Sequence, residues 1–356
     1  FKLNNKKFTS SVISSPNAKG DIFIPKFVEY DSKKYIIIKL GEKAFQNANI
    51  ESLTFANDSE VKTFKKGSFD SVTIRKLQIP AKLETLEDLW FNGFKNLVEI
   101  EVSPENKNFI YFDNKYLLGK SDKNSEKFDA LYLARCDINK AVIPPHIEIL
   151  KSYCFNKHNN LDSIVFPENS ELKCIEKGAF ERTTIKKLVL PASVEDIDCS
   201  NFGFNNKLFD LQISPKNEFF SYVDNKYLVK RNNKNSSTYD ILVFVRRDIK
   251  EFTIPSHIKQ IDGFAFNWCT KLKSIKFEEN SSLTIIKESA FFHMPGPEKL
   301  CFPELLNEFG VCTFLIDNLK IVEFLGENIK ISVKSMYNCP NLQTIHLSNM
   351  PKLQVI

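Results

Sequence analysis

Glycine is scarce, with 11 in 356 residues. A chain this poor in glycine is not organised around loops that cradle phosphate. Neither G-x-G-x-x-G nor the P-loop occurs, and H-E-x-x-H and G-x-S-x-G are equally absent. No apolar run approaches the roughly 18 residues that a membrane-spanning helix needs, so no membrane insertion is expected in this segment. The opening FKLNNKKF has no Met and no apolar signal core, so any secretion signal is expected to be removed or to lie outside this sequence. The net charge of +5 is small for so long a chain and gives no argument for nucleic acid. There are eight cysteines but no C-x-x-C pair, which leaves zinc without its usual spacing. They fall at different phases of the pattern described below, and Cys154 takes a place where Ala is usual. They read mainly as buried free thiols. No metal or cofactor site is expected.

Phenylalanine is abundant, at 32 residues, and its placement is periodic. A residue, usually small, precedes an aromatic at Ala44-Phe45, Ser68-Phe69, Trp90-Phe91, Cys154-Phe155, Ala179-Phe180, Asn201-Phe202, Ala265-Phe266, Ala290-Phe291, Thr313-Phe314 and Met336-Tyr337. Ahead of each pair stand two apolar residues three apart, as in Ile37/Leu40 and Leu172/Ile175; the last unit breaks this rule with Ser332. After it comes apolar-x-x-apolar-x-apolar, as in Ile50/Leu53/Phe55, whose closing alternation reads as a short strand with one buried face. Proline often follows at once (Pro80, Pro167, Pro191, Pro303) and closes the strand.

Strand ends recur every 22 to 25 residues, interrupted by two coils of 41; three ordinary coils and one long coil make a super-unit of 111. The pentapeptide DNKYL, at 113–117 and 224–228, belongs to the two long coils. These coils, about residues 103–143 and 214–254, lack the aromatic pair and show two apolar runs around a polar tip, which reads as a β-hairpin. The expected fold is an α/β repeat solenoid: a right-handed leucine-rich-repeat superhelix with one parallel β-sheet, short convex helical turns and two β-hairpin outgrowths. Residues 1–40 are expected to form an N-terminal cap with a hairpin near Asp31–Lys34, and 41–356 the solenoid. The chain stops at LQVI in mid-repeat, so the natural protein is expected to continue to a cap.

The composite pattern I-x-x-I-x-x-x-A-F-x-x-x-x-x-L-x-x-I-x-I-P resembles the BspA-like leucine-rich repeat, and the long coils resemble that family's hairpin-bearing units. The Gly common after the second apolar residue survives at Gly41 and Gly310, and the Cys three residues after the Phe at Cys269. The resemblance implies a surface protein of the kind found on mucosal bacteria and protists. It also implies adhesion to host cells, matrix proteins or other microbes, and a location at the cell surface or outside the cell.

The residues themselves give candidate surfaces. Val142, Val165 and Val189 take the outward strand position in successive coils, with Lys187, Gln212, Lys276 and Lys299 beyond them. An apolar centre with polar surroundings suits a protein interface, though valine is also simply a good strand former. The second hairpin is basic, with Lys230 and Arg231 at its tip and Arg246 and Arg247 on its return. It reads either as a solvated hairpin or as a patch for acidic glycans or an acidic protein surface. Asn57, Asn235 and Asn280 head N-x-S/T sequons that could carry glycan if the protein is secreted. The five histidines show no catalytic spacing, and His146 and His257 are one position repeated. The middle strand positions supply no paired carboxylates in neighbouring coils, which argues against a glycosidase. No enzyme is expected, and a carbohydrate-active one is the remote alternative. An intracellular interaction scaffold using the same surface is the other.

Overall fold

The computed structural model describes residues 1–92, 94, 96–122, 124–233, 235–311, 314–327, 329–331, 339–347, 354 and 355. The chain divides into two compact units, Phe1–Thr184 and Ile185–Ile356. The aromatic pair at 336–337 and Ser332 lie outside the described residues.

Most ordinary coils contribute two strands rather than one, and the two that carry Phe291 and Phe314 add a third at the corner, Phe291–Met294 beside Phe314–Ile316. The apolar-x-apolar signature forms the first. In the first unit Lys19–Ile24, Asn49–Phe55, Lys76–Ile79 and Glu99–Val102 pair in parallel, and Lys140–Val142 pairs with Ser163–Val165. Alternation decides the faces: Leu53, Phe55, Leu77 and Ile79 are buried, while Thr54 and Gln78 look outward. The leading apolar pair forms the second strand, only two residues long, as at Thr63–Phe64 and Thr85–Leu86. These stack in parallel on Lys33–Leu40 as a separate ladder. The second unit repeats both ladders, for example Glu251–Ile254 beside Ser274–Phe277, and Gln260–Ile261 beside Ile285–Ile286.

Between the two strands the chain turns a corner around the Phe, and this corner is not helical. Among the described residues the only helix is a single 3-10 turn, Cys199–Phe202. The expected convex helical turns are therefore corrected. The residues two before and two after the Phe adopt left-handed backbone: Lys43 and Asn47 around Phe45, Tyr153 and Lys157 around Phe155, Phe264 and Trp268 around Phe266. A left-handed residue every fourth position breaks any right-handed helix. The corner donors turn to the next coil instead. Phe45 N donates to Ser68 O at 2.8 Å, Phe155 N to Ala179 O at 2.7 Å and Phe266 N to Ala290 O at 2.9 Å.

The corner rings fill the interior. Phe45 stacks on Phe69 at 5.8 Å, and Phe266 on Phe291 at 4.9 Å. Phe155, Phe180 and Phe202 are all buried. Removing one such ring costs about 3–5 kcal/mol.

Before its closing strand each long coil holds three more: Phe109–Phe112, Tyr116–Gly119 and Ala130–Ala134, then Phe220–Val223, Tyr227–Lys230 and Ile241–Val245, antiparallel to their neighbours within the coil. The repeated DNKYL supplies the first turn. Asp113-Asn114 and Asp224-Asn225 both have positive φ, and each pair is the centre of a tight turn closed by Lys115 N to Phe112 O or Lys226 N to Val223 O. Arg135 and Arg246 then clasp these turns, each donating Nη1 to the Asn carbonyl at 3.1 Å. The hairpins are not outgrowths. Leu117, Leu118, Leu131 and Leu133 are fully buried, as are Leu242, Val243, Phe244 and Val245. The third strand of each coil pairs in parallel with the next two-residue strand. The polar tips, and the DNKYL turns at the opposite end, face water. The apolar runs fail to alternate because both of their faces are covered.

At the start of the chain Lys2–Asn4 pairs with Thr9–Val12, and Phe27–Tyr30 with Lys33–Leu40, both antiparallel. The second of these hairpins turns at Asp31-Ser32, both with positive φ.

Candidate functional site

The outward strand positions are side chains that the fold holds in water. Val142 and Val165 are register partners in the first unit, 51% and 39% exposed. Val189 belongs to the second unit, is 49% exposed and pairs with Gln212. The surrounding polar residues are partly occupied with one another. Gln212 donates Nε2 to Asp210 at 2.9 Å, and Lys187 lies 3.8 Å from the same carboxylate. Lys299 pairs with Glu323 at 2.8 Å. Lys276 is exposed opposite Thr253.

Lys276 and Lys299 also line a shallow groove of about 870 Å³ in the second unit, with Phe277, Cys301, Leu305 and Leu325. The groove follows an interruption in the ladder. Ser274–Phe277 pairs only with Glu251–Ile254, and Lys299–Phe302 only with Ile321–Phe324. Pro297 and Pro303 bracket the latter strand and have no N–H to donate across the gap. Sequence reasoning missed Leu305 and Leu325, both exposed. Leu305 adjoins Leu306 at the first apolar position, and the doublet was its only sign.

The basic hairpin is corrected by the structure. Arg247 is 5% exposed, so it offers nothing to a partner at the surface. Its Nη2 donates to Phe202 O at 2.8 Å, its Nη1 to Asn205 O, and its guanidinium lies 5.4 Å from the Phe244 ring. Burial pushes its pKa down to about 10, which still leaves it cationic at neutral pH. Arg246 grips Asp248 with two bonds of 2.8 Å. Lys230 is largely buried against Asp262 at 2.8 Å, and Arg231 lies over Tyr239 at 4.7 Å. Lys230 ends a strand with buried neighbours, while Arg231, Arg246 and Arg247 lie just beyond strand ends, where side-chain and carbonyl partners hold them.

Asn57, Asn235 and Asn280 are exposed. The seven described cysteines are free thiols, and Cys312 lies outside the described residues. Burial pushes the thiols of Cys136, Cys199 and Cys269 up to about 12, which keeps them protonated and unreactive. His158 is buried, with Nε2 3.2 Å from Ala134 O; Cys269, its equivalent one super-unit on, points Sγ at Val245 O at 3.7 Å. Both serve as small donors to the hairpin strand. Among the described residues no three His, Cys, Asp or Glu converge to hold a metal ion, and no helix is long and apolar enough to cross a membrane. What this geometry offers is broad, shallow contact through the strand face and the groove.

Comparison with known proteins gives the following. The family model of the BspA type leucine rich repeat region matches in six copies, over residues 29–117, 126–230 and 241–355. No curated protein matches. Among solved structures, a leucine rich cell surface protein of Faecalibacterium prausnitzii aligns at 19% identity over 98% of this chain and 92% of its own, with a TM-score of 0.48. The pneumococcal vaccine antigen PcpA aligns at 17% identity over 97% and 80%, also at 0.48. A leucine-rich repeat protein of Eubacterium ventriosum aligns at 18% identity over 76% and 69%, at 0.45.

Proposed function

The chain belongs to the BspA-type leucine-rich repeat family, and from that premise we propose that it is a cell-surface binding protein. Its outward strand face would contact host or matrix macromolecules, which is adhesion in the broad sense. The observation that carries the reading is the exposure of Val142 and Val165 side by side in register. The strand ladder fixes their backbone, so little entropy is lost when a partner covers them. Asn235, exposed at the second hairpin tip, would carry glycan on such a protein.

The test is binding to host cells and to immobilised matrix proteins, with Val142→Asp and Val165→Asp combined in one variant. Central interface positions typically lose about 2 kcal/mol or more on truncation, so the variant should bind at least about 30-fold more weakly. Both sites face water, so its circular dichroism should be unchanged. Undiminished binding by the folded double variant removes the strand face from the reading.

A second reading, an interaction scaffold inside the cell, rests on the seven free thiols, which a reducing compartment would preserve. Mass spectrometry of the natural protein separates the two: glycan on Asn235 supports the surface, an unmodified asparagine with every thiol reduced supports the interior.

A further inference from the structure

Residues 1–43 contain nine lysines and four carboxylates. That excess of five equals the net charge of the entire chain, so the remaining residues are balanced. The lysines are also brought together. Thr9–Val12 runs parallel to Lys33–Leu40 with Thr9 opposite Ile36, so the turn at residues 5–8 lies beside the start of the latter strand. Three contacts hold it there. Tyr35 Oη donates to Asn5 Oδ1 at 2.8 Å, Ile36 N donates to Phe8 O at 3.0 Å, and the Phe8 and Tyr35 rings are 6.0 Å apart. The Asp31-Ser32 turn projects from the same strand end. Lys6, Lys7, Lys33 and Lys34 are therefore gathered at one end of neighbouring strands, and all four are exposed. Among the described residues only Lys34 of the four has an ion-pair partner, Glu29 at 3.6 Å. Two open rings belong to the same segments: Phe8, 50% exposed, follows Lys7, and Tyr30, 66% exposed, is the register partner of Lys33.

We propose that this end of the first unit binds a sulfated polysaccharide. The lysines would pair with sulfate groups along the chain, and Phe8 and Tyr30 would lie against the apolar faces of its sugar rings. Charge complementarity selects a polyanion. The rings select a sugar over a lipid surface. Phe8 lies against Tyr35 rather than projecting as a wedge. This partner deepens the cell-surface reading and rests on it, while its site is separate from the strand face.

Heparin serves as the sulfated probe, polyglutamate as a polyanion without sugar, and phosphatidylserine vesicles as the anionic lipid. The full chain should bind heparin with an affinity that falls as salt rises. Replacing Lys6, Lys7, Lys33 and Lys34 together by Ser should weaken it about tenfold or more, since four exposed charge contacts are lost. Replacing Lys107, Lys140, Lys216 and Lys271 should change it far less. Phe8→Ser with Tyr30→Ser should weaken heparin binding and leave polyglutamate binding unchanged. Equal losses from the two lysine sets, or preference for the vesicles, overturns the proposal. The Val142→Asp/Val165→Asp protein should keep its heparin affinity. Undiminished protein binding by this variant fails the strand-face reading alone, and absent heparin binding by the parent protein fails the polysaccharide proposal alone.

Discussion

Two corners occupy the same place on the 111-residue ruler and are made of opposite chemistry. In the first unit, ahead of the hairpin coil, Trp90, Phe91 and Phe94 form a dry aromatic knot. Phe91 and Phe94 stack at 5.0 Å, and both Trp90 and Phe94 meet Phe69 at 5.7 Å. Cys136 closes it with Sγ 3.5 Å from Phe94 O. In the second unit the equivalents are Asn201, Phe202, Asn205 and Arg247. All four are buried. Here the corner carbonyls are held by side-chain donors: Arg247 takes those of Phe202 and Asn205, and Trp268 Nε1 takes that of Gly203 at 3.0 Å. The backbone differs too. Leu89 is left-handed, whereas its equivalent Ser200 lies in the 3-10 turn that Asp198 caps at 2.9 Å. One site in the fold accepts either a ring cluster or a buried cation, provided the choice is complete. A half-exchange leaves polar groups without partners or rings without neighbours.

The largest effect should come from such a half-exchange in the first unit. Trp90→Asn with Phe94→Asn removes two packed rings and buries two amides where no arginine waits for them. A buried ring is worth about 3–5 kcal/mol and an unsatisfied buried amide about 1–3 more. Hydrogen exchange should show the first unit unprotected while the second keeps its protection. If both units keep full protection in this variant, the aromatic knot is not what holds the first one.

Next comes the arginine. Arg247→Ala frees the Phe202 and Asn205 carbonyls in a buried site. Hydrogen bonds to a charged donor contribute about 1.5–3 kcal/mol each, so about 3 kcal/mol or more should be lost. Cys136→Ala, the matching change in the first unit, should cost about 1 kcal/mol. Completing the exchange sharpens the comparison: Asn201→Trp, Asn205→Phe and Arg247→Cys together should recover most of what Arg247→Ala loses. Denaturation followed by a probe in each unit measures this, since two units need not melt as one. A triple variant no more stable than Arg247→Ala would mean that the two corners are not interchangeable.

This pair of corners also marks how far the sequence could be read. The coil length, the strand with its Pro stop and the Phe at each corner follow from spacing, because burial repeats with the coil and leaves apolar residues at fixed intervals. The second ladder was hidden because a two-residue strand such as Thr63–Phe64 is too short to show alternation. Left-handed backbone at the corners escapes the sequence because Lys43 gives no sign of it and one Asn, as at Asn47, is only a weak one; the hydrogen bonds to the next coil hold it. The candidate surface was legible where alternation governs, as at Val142 and Val165. It was illegible at Arg247, whose charge suggested water while its guanidinium reaches the buried Phe202 and Asn205 carbonyls from a turn just past the strand. The lysines of residues 1–43 are plain in the sequence, but their convergence depends on strand pairing that no local pattern reveals.

The smallest effect concerns the position that is His158 in one unit and Cys269 in the other. A neutral imidazole has one N–H, so it can donate either to Ala134 O or to Asn156 O, each 3.2 Å away. Burial holds its pKa below the ordinary 6.5. The unfolded chain therefore takes up the proton first. Stability from His158 is complete above about pH 6.5 and declines as pH falls from there toward the folded value, by at most about 1.4 kcal/mol per pH unit. Cys269 has no such dependence, because its thiol titrates near 12. His158→Cys should thus remove the His158 part of the slope in the urea midpoint of the first unit between pH 7.5 and 5, leaving only that of carboxyls such as Asp70 and Glu181, whose pKa values burial raises. The same slope in both proteins would place the acid sensitivity elsewhere, among the carboxylates. The difference between the units would then lie in the corner rings and Arg247 alone.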